Sequence, residues 1–232
     1  TVRRQRQMCI RDSSKSSACS NTWNKNLCKT ILNENSINTP NSILLNNLKN
    51  CSNNPFDCFE KKFGYKPNLF MKPCEDGSSI DIFKISNDED YKKAKLNCLN
   101  LEREFIFEES IEGREFTVTI IGNKCYPVIE IKTQNDFYDY DAKYISDDTI
   151  LDQAKLSDNE LNIINDIALR TFHALKCSGW ARVDIIQDKN GNFNVIEINT
   201  VPGMTSHSCV PKSASFIGLS YQDVIKEILS NV

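Results

Sequence analysis

The sequence predicts an α+β fold, and three observations carry that prediction. Stretches of helical periodicity alternate with strand-like runs along the 232 residues, the pattern of sheets with helices on one face. Two strand-like stretches, residues 181–186 and 193–199, are joined by Asp188-Lys189-Asn190-Gly191-Asn192, and Asn-Gly is a strong hairpin signal. Ser157-Asp158-Asn159-Glu160 has the form of a capping box that opens a helix running to Cys177.

The elements follow in order. Residues 24–36 read as a helix with apolar Leu27, Ile31 and Leu32, broken by Asn38-Thr39-Pro40-Asn41. A short strand at 42–45 comes next, then a polar helical stretch at 48–63. Residues 67–73 form a strand ending at a proline, and the loop Cys74-Glu75-Asp76-Gly77-Ser78-Ser79 leads to a strand at 80–85. Residues 88–100 are helical, and strands are expected at 104–109, 115–121 and 125–131. The polar, aromatic segment 133–156 has little periodicity and is long for a loop, which favours a functional role over a mere connection. A closing helix is expected at 220–229.

Composition narrows the class. Hydrophobic residues make up 40% and charged residues 25%, ordinary for a globular domain, and the length allows one or two domains. No apolar run approaches the roughly 20 residues of a membrane span, so no membrane partner is expected. The net charge of −3 gives no reason to expect nucleic acid. The ten cysteines are scattered without a Cys-x-x-Cys pair and there are two histidines, so reduced thiols and a cytoplasmic location are expected over disulfides or a zinc cluster. Residues 3–13 resemble the translation of a common sequencing adapter, and four of the eight arginines lie in residues 1–11. Residues 1–13 are therefore expected not to be native, leaving residues 14–111 and 112–232 as two subdomains. Without the first thirteen residues the net charge shifts from −3 to −6, and the native sequence is expected to continue upstream of Ser14.

The hairpin carries the most chemistry. With the turn at Asn190-Gly191, Lys189 pairs with Asn192, and counting back sets Asp184 opposite Glu197 and Arg182 opposite Asn199. Two carboxylates facing each other are only about 5 Å apart at Cβ and repel. A cation between them removes the repulsion, and two carboxylates with a carboxamide suit Mg²⁺ better than zinc. A solvated hairpin face that tolerates the repulsion is the alternative. Lys72, next to Gly77-Ser78-Ser79, offers a point charge near backbone N–H groups that suits phosphate. Lys143, in Tyr138-Asp139-Tyr140-Asp141-Ala142-Lys143-Tyr144, is equally compatible with an ordinary loop lysine.

Taken together and in order, five motifs resemble the D-alanine–D-alanine ligases of the ATP-grasp superfamily. They are Lys72-Pro73 with Gly77-Ser78-Ser79, then Glu108 to Val118, then Tyr138 to Tyr144, then Gly179-Trp180-Ala181-Arg182-Val183-Asp184, and last Glu197-Ile198-Asn199-Thr200-Val201-Pro202-Gly203 running on to Ser208. The resemblance implies an ATP-grasp fold, two α+β subdomains clasping ATP, without the family's N-terminal Rossmann-like domain. It implies ATP-dependent joining of two D-alanines through an acyl phosphate for peptidoglycan precursors, with Mg²⁺ (or Mn²⁺) as cofactor and a homodimer for the full-length enzyme. By position, Lys25, Lys72 and Lys143 match phosphate-contacting lysines. Glu108, Glu109 and Ile111 match the segment that reads adenine, and Glu115 the ribose-binding acid. Asp184, Glu197 and Asn199 match the ligands of two Mg²⁺ ions. Arg182 and the Gly203 N–H match an oxyanion-stabilising pair. Ser208 and Cys209 match the loop that holds the second substrate's carboxylate, and Ser78 and Tyr144 match residues that orient the first D-alanine. Asn24 stands where the family has aspartate, Cys209 where it has leucine, and residues 149–154 lack the family's Cys-Pro-like element. Another ATP-grasp carboxylate–amine ligase, or a non-catalytic Mg-ATP-binding module, are the alternatives.

Overall fold

The computed structural model describes residues 13–77, 80–132, 150–205 and 207–231. The expected residues Ser78, Lys143 and Tyr144 lie outside these. The described chain divides into two compact units, one formed by residues 23–26 and 40–111, the other by the residues up to 22, 27–39 and from 112 onward. Every strand pairing in both is antiparallel.

The first unit is built on a four-stranded sheet. Its strands are β1 (Ser42–Asn46), β2 (Leu69–Pro73), β3 (Phe83–Ile85) and β4 (Glu104–Glu109), in the order β1-β4-β2-β3. Alternation sends Phe105 and Phe107 of β4, Leu69 and Met71 of β2 and Ile43 and Leu45 of β1 to one face. Two helices cover that face, one spanning Pro55–Phe63 through Phe56 and Phe59, the other spanning Asp88–Asn97 through Tyr91 and Ala94. The first of these is shorter than expected from sequence, where residues 48–54 were read into it. Asn54 stops it: its side chain accepts from the N–H of Phe56 at 2.8 Å and of Asp57 at 3.4 Å, with Pro55 in the first turn. That is an N-cap followed by a proline whose missing N–H costs nothing there.

The second unit carries β5 (Gly113–Ile121), β6 (Lys124–Cys125), β7 (Ile129–Lys132), β8 (Ile150–Gln153), β9 (Trp180–Asp188) and β10 (Phe193–Asn199). Their order is β10-β9-β5-β7-β8, with β6 paired to β5. The expected single strand at 125–131 breaks at Tyr126-Pro127-Val128, where the proline cannot donate to a ladder. β8 was not expected, because its four residues Ile150-Leu151-Asp152-Gln153 lie at the end of the aperiodic segment. The capped helix spans Asp158–Ala174, and both reciprocal bonds between Ser157 and Glu160 form. It lays Ile164, Ala168 and Phe172 on Phe116, Val118, Val183, Ile185 and Val195. Further helices span Ser16–Trp23, Lys25–Glu34, Cys209–Ser215 and Tyr221–Ser230. The predicted helix at 24–36 is the one spanning Lys25–Glu34; the helix at Ser16–Trp23 before it was not expected, and Asn24 between them forms an isolated bridge to Glu75.

Nine described cysteines are free thiols. Burial pushes the Cys177 and Cys74 thiols up to about 12 and Cys125 to about 11, so these three are packing groups and poor nucleophiles. No described helix is long and apolar enough to cross a membrane.

Candidate functional site

The β9–β10 hairpin makes the site, but not by the simple turn its sequence suggests. The loop is three residues, Lys189-Asn190-Gly191. Asp188 N–H bonds to the Asn192 carbonyl at 2.9 Å and Gly191 N–H to the Asp188 carbonyl at 3.0 Å. Gly191 sits at φ +87°, the left-handed conformation that a three-residue hairpin loop requires. The Asp188 carboxylate caps the turn by accepting from the N–H groups of Asn190 at 2.8 Å and Asn192 at 2.9 Å. The expected Lys189–Asn192 pair is therefore absent, and Phe193 pairs with Gln187. A β-bulge then shifts the register at Ile196, between Val195 and Glu197, and restores Glu197 opposite Asp184 and Asn199 opposite Arg182. Two offsets of one residue cancel.

That bulge decides which way the polar residues face. Phe193 and Val195 are buried in the core under the capped helix. Strict alternation would carry Glu197 and Asn199 to the same buried side. One extra residue inverts the parity, so that Ile198 enters the core and Glu197 and Asn199 turn to the opposite face. Bulges beside active sites re-aim side chains in this way. β9 needs no such device, because Ala181, Val183 and Ile185 are already in the core and Arg182 and Asp184 alternate with them.

On the outward face the side chains converge. Arg182 grips the Asp184 carboxylate with two donors, Nε to Oδ1 at 2.9 Å and Nη2 to Oδ2 at 2.6 Å. Thr117, from the paired position on β5, donates its hydroxyl to Asp184 Oδ1 at 2.7 Å. The Asn199 amide nitrogen lies 3.3 Å from Asp184 Oδ2 and 3.4 Å from Glu197 Oε1. Burial alone would lower the Arg182 pKa, but the Asp184 charge and hydrogen bonds outweigh it and hold the guanidinium above its ordinary value, with smaller help from Cys209 and Glu197. Arg182 is thus a permanent cation facing two carboxylates.

The donor set fits a hard divalent cation. The Asn199 amide bridges the two carboxylates as a neutral donor, where a cation would bridge them with charge. Turning that amide about its last torsion presents Oδ1 to the same position, giving an all-oxygen set from Asp184, Glu197 and Asn199. Mg²⁺ takes one or two carboxylates and completes its shell with water and phosphate oxygens, so it does not need the three acidic, thiol or imidazole ligands that no cluster among the described residues supplies.

The remaining expected residues fall into three groups. Glu115 lies two residues before Thr117 on β5 and shares its face. Gly203 and Ser208 are brought together: a Cβ on Gly203 would lie 2.9 Å from the Ser208 hydroxyl, so a side chain there would displace that hydroxyl. Ser208 Oγ accepts from Thr205 N–H at 3.0 Å, and Ser208 N–H donates back to the Thr205 carbonyl at 2.9 Å. Cys209 is buried with Ile129 and Ile131. On the four-stranded sheet, Lys72 of β2 forms an ion pair with Glu108 of β4, both side chains largely buried. Lys25 donates its N–H to the Cys74 carbonyl at 2.8 Å and its ammonium to the Asp76 carbonyl at 2.7 Å, which sets it at the loop that follows Lys72. Glu109 points away from Glu108, and Ile111 follows β4. Thr117 was missed from sequence, although its place two residues after Glu115 on an alternating strand could have found it. The Ile196 bulge left no signal in the sequence.

Comparison with known proteins gives a consistent result. A family model described as D-ala D-ala ligase C-terminus matches residues 31–230. The chain is 38% identical over 162 residues to the D-alanine–D-alanine ligase of Actinobacillus succinogenes, covering 69% of this chain and 53% of that protein. It is 40% identical over 178 residues to the D-alanine–D-alanine ligase of a Marinomonas species, covering 75% of this chain and 56% of that protein. The chain spans about half the length of these curated relatives. Among solved structures, D-alanine–D-alanine ligase from Bacillus anthracis complexed with ATP superposes with a TM-score of 0.78 at 28% identity, over 95% of this chain and 69% of that one.

Proposed function

This chain belongs to the D-alanine–D-alanine ligase family, matching its C-terminal part, and from that premise we propose that it takes part in the ATP-dependent joining of two D-alanines to D-alanyl-D-alanine for peptidoglycan precursors. The observation that supports this most is the convergence of Asp184, Glu197 and Asn199 beside a paired Arg182, within the residues the family model covers.

The chemistry explains the residue types. A carboxylate is a poor electrophile, so the first D-alanine's carboxylate oxygen takes the γ-phosphoryl group of ATP and ADP leaves. The amine of the second D-alanine then attacks the acyl carbon, the amine loses its proton and phosphate departs. Asp184, Glu197 and Asn199 would hold Mg²⁺, which would supply positive charge to the phosphates. Lys25, Lys72 and Lys143 supply further positive charge to the phosphates. Glu108, Glu109, Ile111 and Glu115 are assigned to the nucleoside. Arg182 and the Gly203 N–H stabilise the oxygen on which charge develops, where fixed donors are worth most. Ser208 with the Cys209 backbone holds the second substrate's carboxylate, and Ser78 and Tyr144 orient the first D-alanine. On the same family reading the whole protein is a cytoplasmic homodimer.

The test is ADP release from Mg-ATP with and without D-alanine, with the dipeptide measured directly. The reading expects D-alanine-dependent ADP and equimolar dipeptide. ADP release driven by a different carboxylate and amine would identify another ATP-grasp ligase. Nucleotide binding without either product would identify a Mg-ATP-binding module.

A further inference from the structure

We propose that Tyr65 and Asn41 are positioning residues for recognition of the nucleotide base, acting through Glu109, whose side chain shapes the base-reading segment instead of touching the base. The inference rests on the reading of residues 108–111 as that segment.

Alternation on β4 sends Glu108 and Glu109 to opposite faces. Glu108 faces Lys72. Glu109 lies on the side of Phe105 and Phe107, which pack into the core. There both of its carboxylate oxygens are engaged. Oε1 accepts from the Asn41 N–H at 3.0 Å, and Oε2 accepts from the Tyr65 hydroxyl. The Asn41 side-chain amide donates to the same Tyr65 oxygen at 2.9 Å, which closes a ring of three residues. The Glu109 N–H returns a bond to the Asn41 carbonyl at 2.9 Å, and Ser110 N–H bonds to the Asn68 carbonyl at 2.8 Å. Residues 109 and 110 are therefore held from both sides by the chain next to β1 and β2.

Tyr65 is anchored in its turn. Its ring meets Phe59 edge-on with centroids 5.5 Å apart, and Phe59 is fully buried. The hydroxyl thus reaches Glu109 from a fixed ring, which limits the motion of the carboxylate. Reading the edge of a flat base needs donors and acceptors held to within about 0.5 Å. A carboxylate whose two oxygens already accept from Asn41 and Tyr65 on the other face of the strand cannot supply such a contact, but it can keep the backbone of its own segment in place.

The test compares Tyr65→Phe and Glu109→Gln with the unmodified chain, measuring affinity for Mg-ATP, Mg-GTP and Mg-tripolyphosphate by calorimetry. Tyr65→Phe keeps the ring on Phe59 and removes the hydroxyl's two hydrogen bonds, to Glu109 and from Asn41, so Mg-ATP should bind about fivefold more weakly. The preference for ATP over GTP should fall by the same factor, with tripolyphosphate affinity held, a split that a general loss of structure would not produce. Glu109→Gln turns one acceptor oxygen into a donor and should move the preference in the same direction. An unchanged ATP-to-GTP preference in both variants overturns the inference alone. So does a loss confined to Glu109→Gln, which would mark Glu109 as a direct base contact. Absence of nucleotide binding by the unmodified chain overturns the reading of residues 108–111 and the inference with it.

Discussion

Each sheet displays charge on one face, and the two displays are built differently. On the four-stranded sheet, Lys72 and Glu108 are one cation and one anion, largely buried against each other. On the six-stranded sheet, one cation, Arg182, faces two anions, Asp184 and Glu197, with a neutral amide between the anions. In the first arrangement a change to either partner leaves a buried charge without that counterion. The second sets two carboxylates and a carboxamide together, an oxygen-rich set that gains from an added divalent cation. A buried ion pair on one sheet and a carboxylate–carboxamide cluster on the other therefore have different responses to metal, and that contrast can be broken experimentally.

The largest expected effect comes from Ile198→Asp. Strict alternation would set Ile196 and Ile198 on one face, but the bulge carries Ile198 alone into the core under the helix at Asp158–Ala174. Burying an unpaired carboxylate costs several kcal/mol, a large part of the roughly 5–15 kcal/mol that holds a domain together. Ile198→Asp should lose cooperative urea unfolding, whereas Ile196→Asp, at a half-buried position, should cost clearly less. Equal losses in the two variants would show that the bulge does not set the facing of these residues.

A second, smaller effect sharpens the contrast directly. In divalent-free buffer Glu108→Gln should lower unfolding stability by about 3 kcal/mol, because Lys72 keeps its charge in a largely buried place. Glu197→Gln should cost clearly less, because it removes one of two like charges. Added Mg²⁺ should stabilise the unmodified chain and Glu108→Gln, and do little for Glu197→Gln. Equal losses in divalent-free buffer, or equal gains on adding Mg²⁺, would erase the distinction between the two faces.

The smallest effect lies at the helix that supports the cluster. Glu160, bonded by the Ser157 backbone and hydroxyl and by Gln187, has its carboxyl held down at about 2. A depressed carboxylate adds stability above its unfolded pKa, roughly 4.3, and loses that contribution as the pH falls through its folded value. The capping box should therefore weaken between about pH 4 and 2. Ser157→Ala should cost about 1 kcal/mol at neutral pH and flatten that part of the acid titration of unfolding. An unaltered acid limb in Ser157→Ala would remove the capping box from the account.

How much of this was legible in the sequence depends on which physical signal each residue left. The capping box, β4 and the facing of Arg182 and Asp184 follow from local periodicity and side-chain chemistry, which one strand or helix displays by itself. The pairing of Asp184 with Glu197 was read from a two-residue turn that does not form, and it holds because the longer loop and the bulge offset each other. Neither departure has a composition signature: Ile196 looks like any strand isoleucine. Thr117 and Tyr65 escaped for a related reason. Their roles come from partners 67 and 44 residues away in sequence, and no local pattern records such contacts. The break at Asn54-Pro55 was visible and was overridden by the polar helical run before it. The aperiodic stretch hid β8, whose partner β7 fixes it only in three dimensions.

The most direct test of the central claim is Mn²⁺ binding followed by electron paramagnetic resonance, in the unmodified chain and in Glu197→Gln and Asn199→Ala, with Mn²⁺ as the only added ligand and again with ADP present. The account predicts bound Mn²⁺ in the unmodified chain, tightened by ADP, and at least about tenfold weaker in either variant. Equal Mn²⁺ affinity in all three chains would contradict it, and would return the hairpin to a solvated face that merely tolerates its two carboxylates.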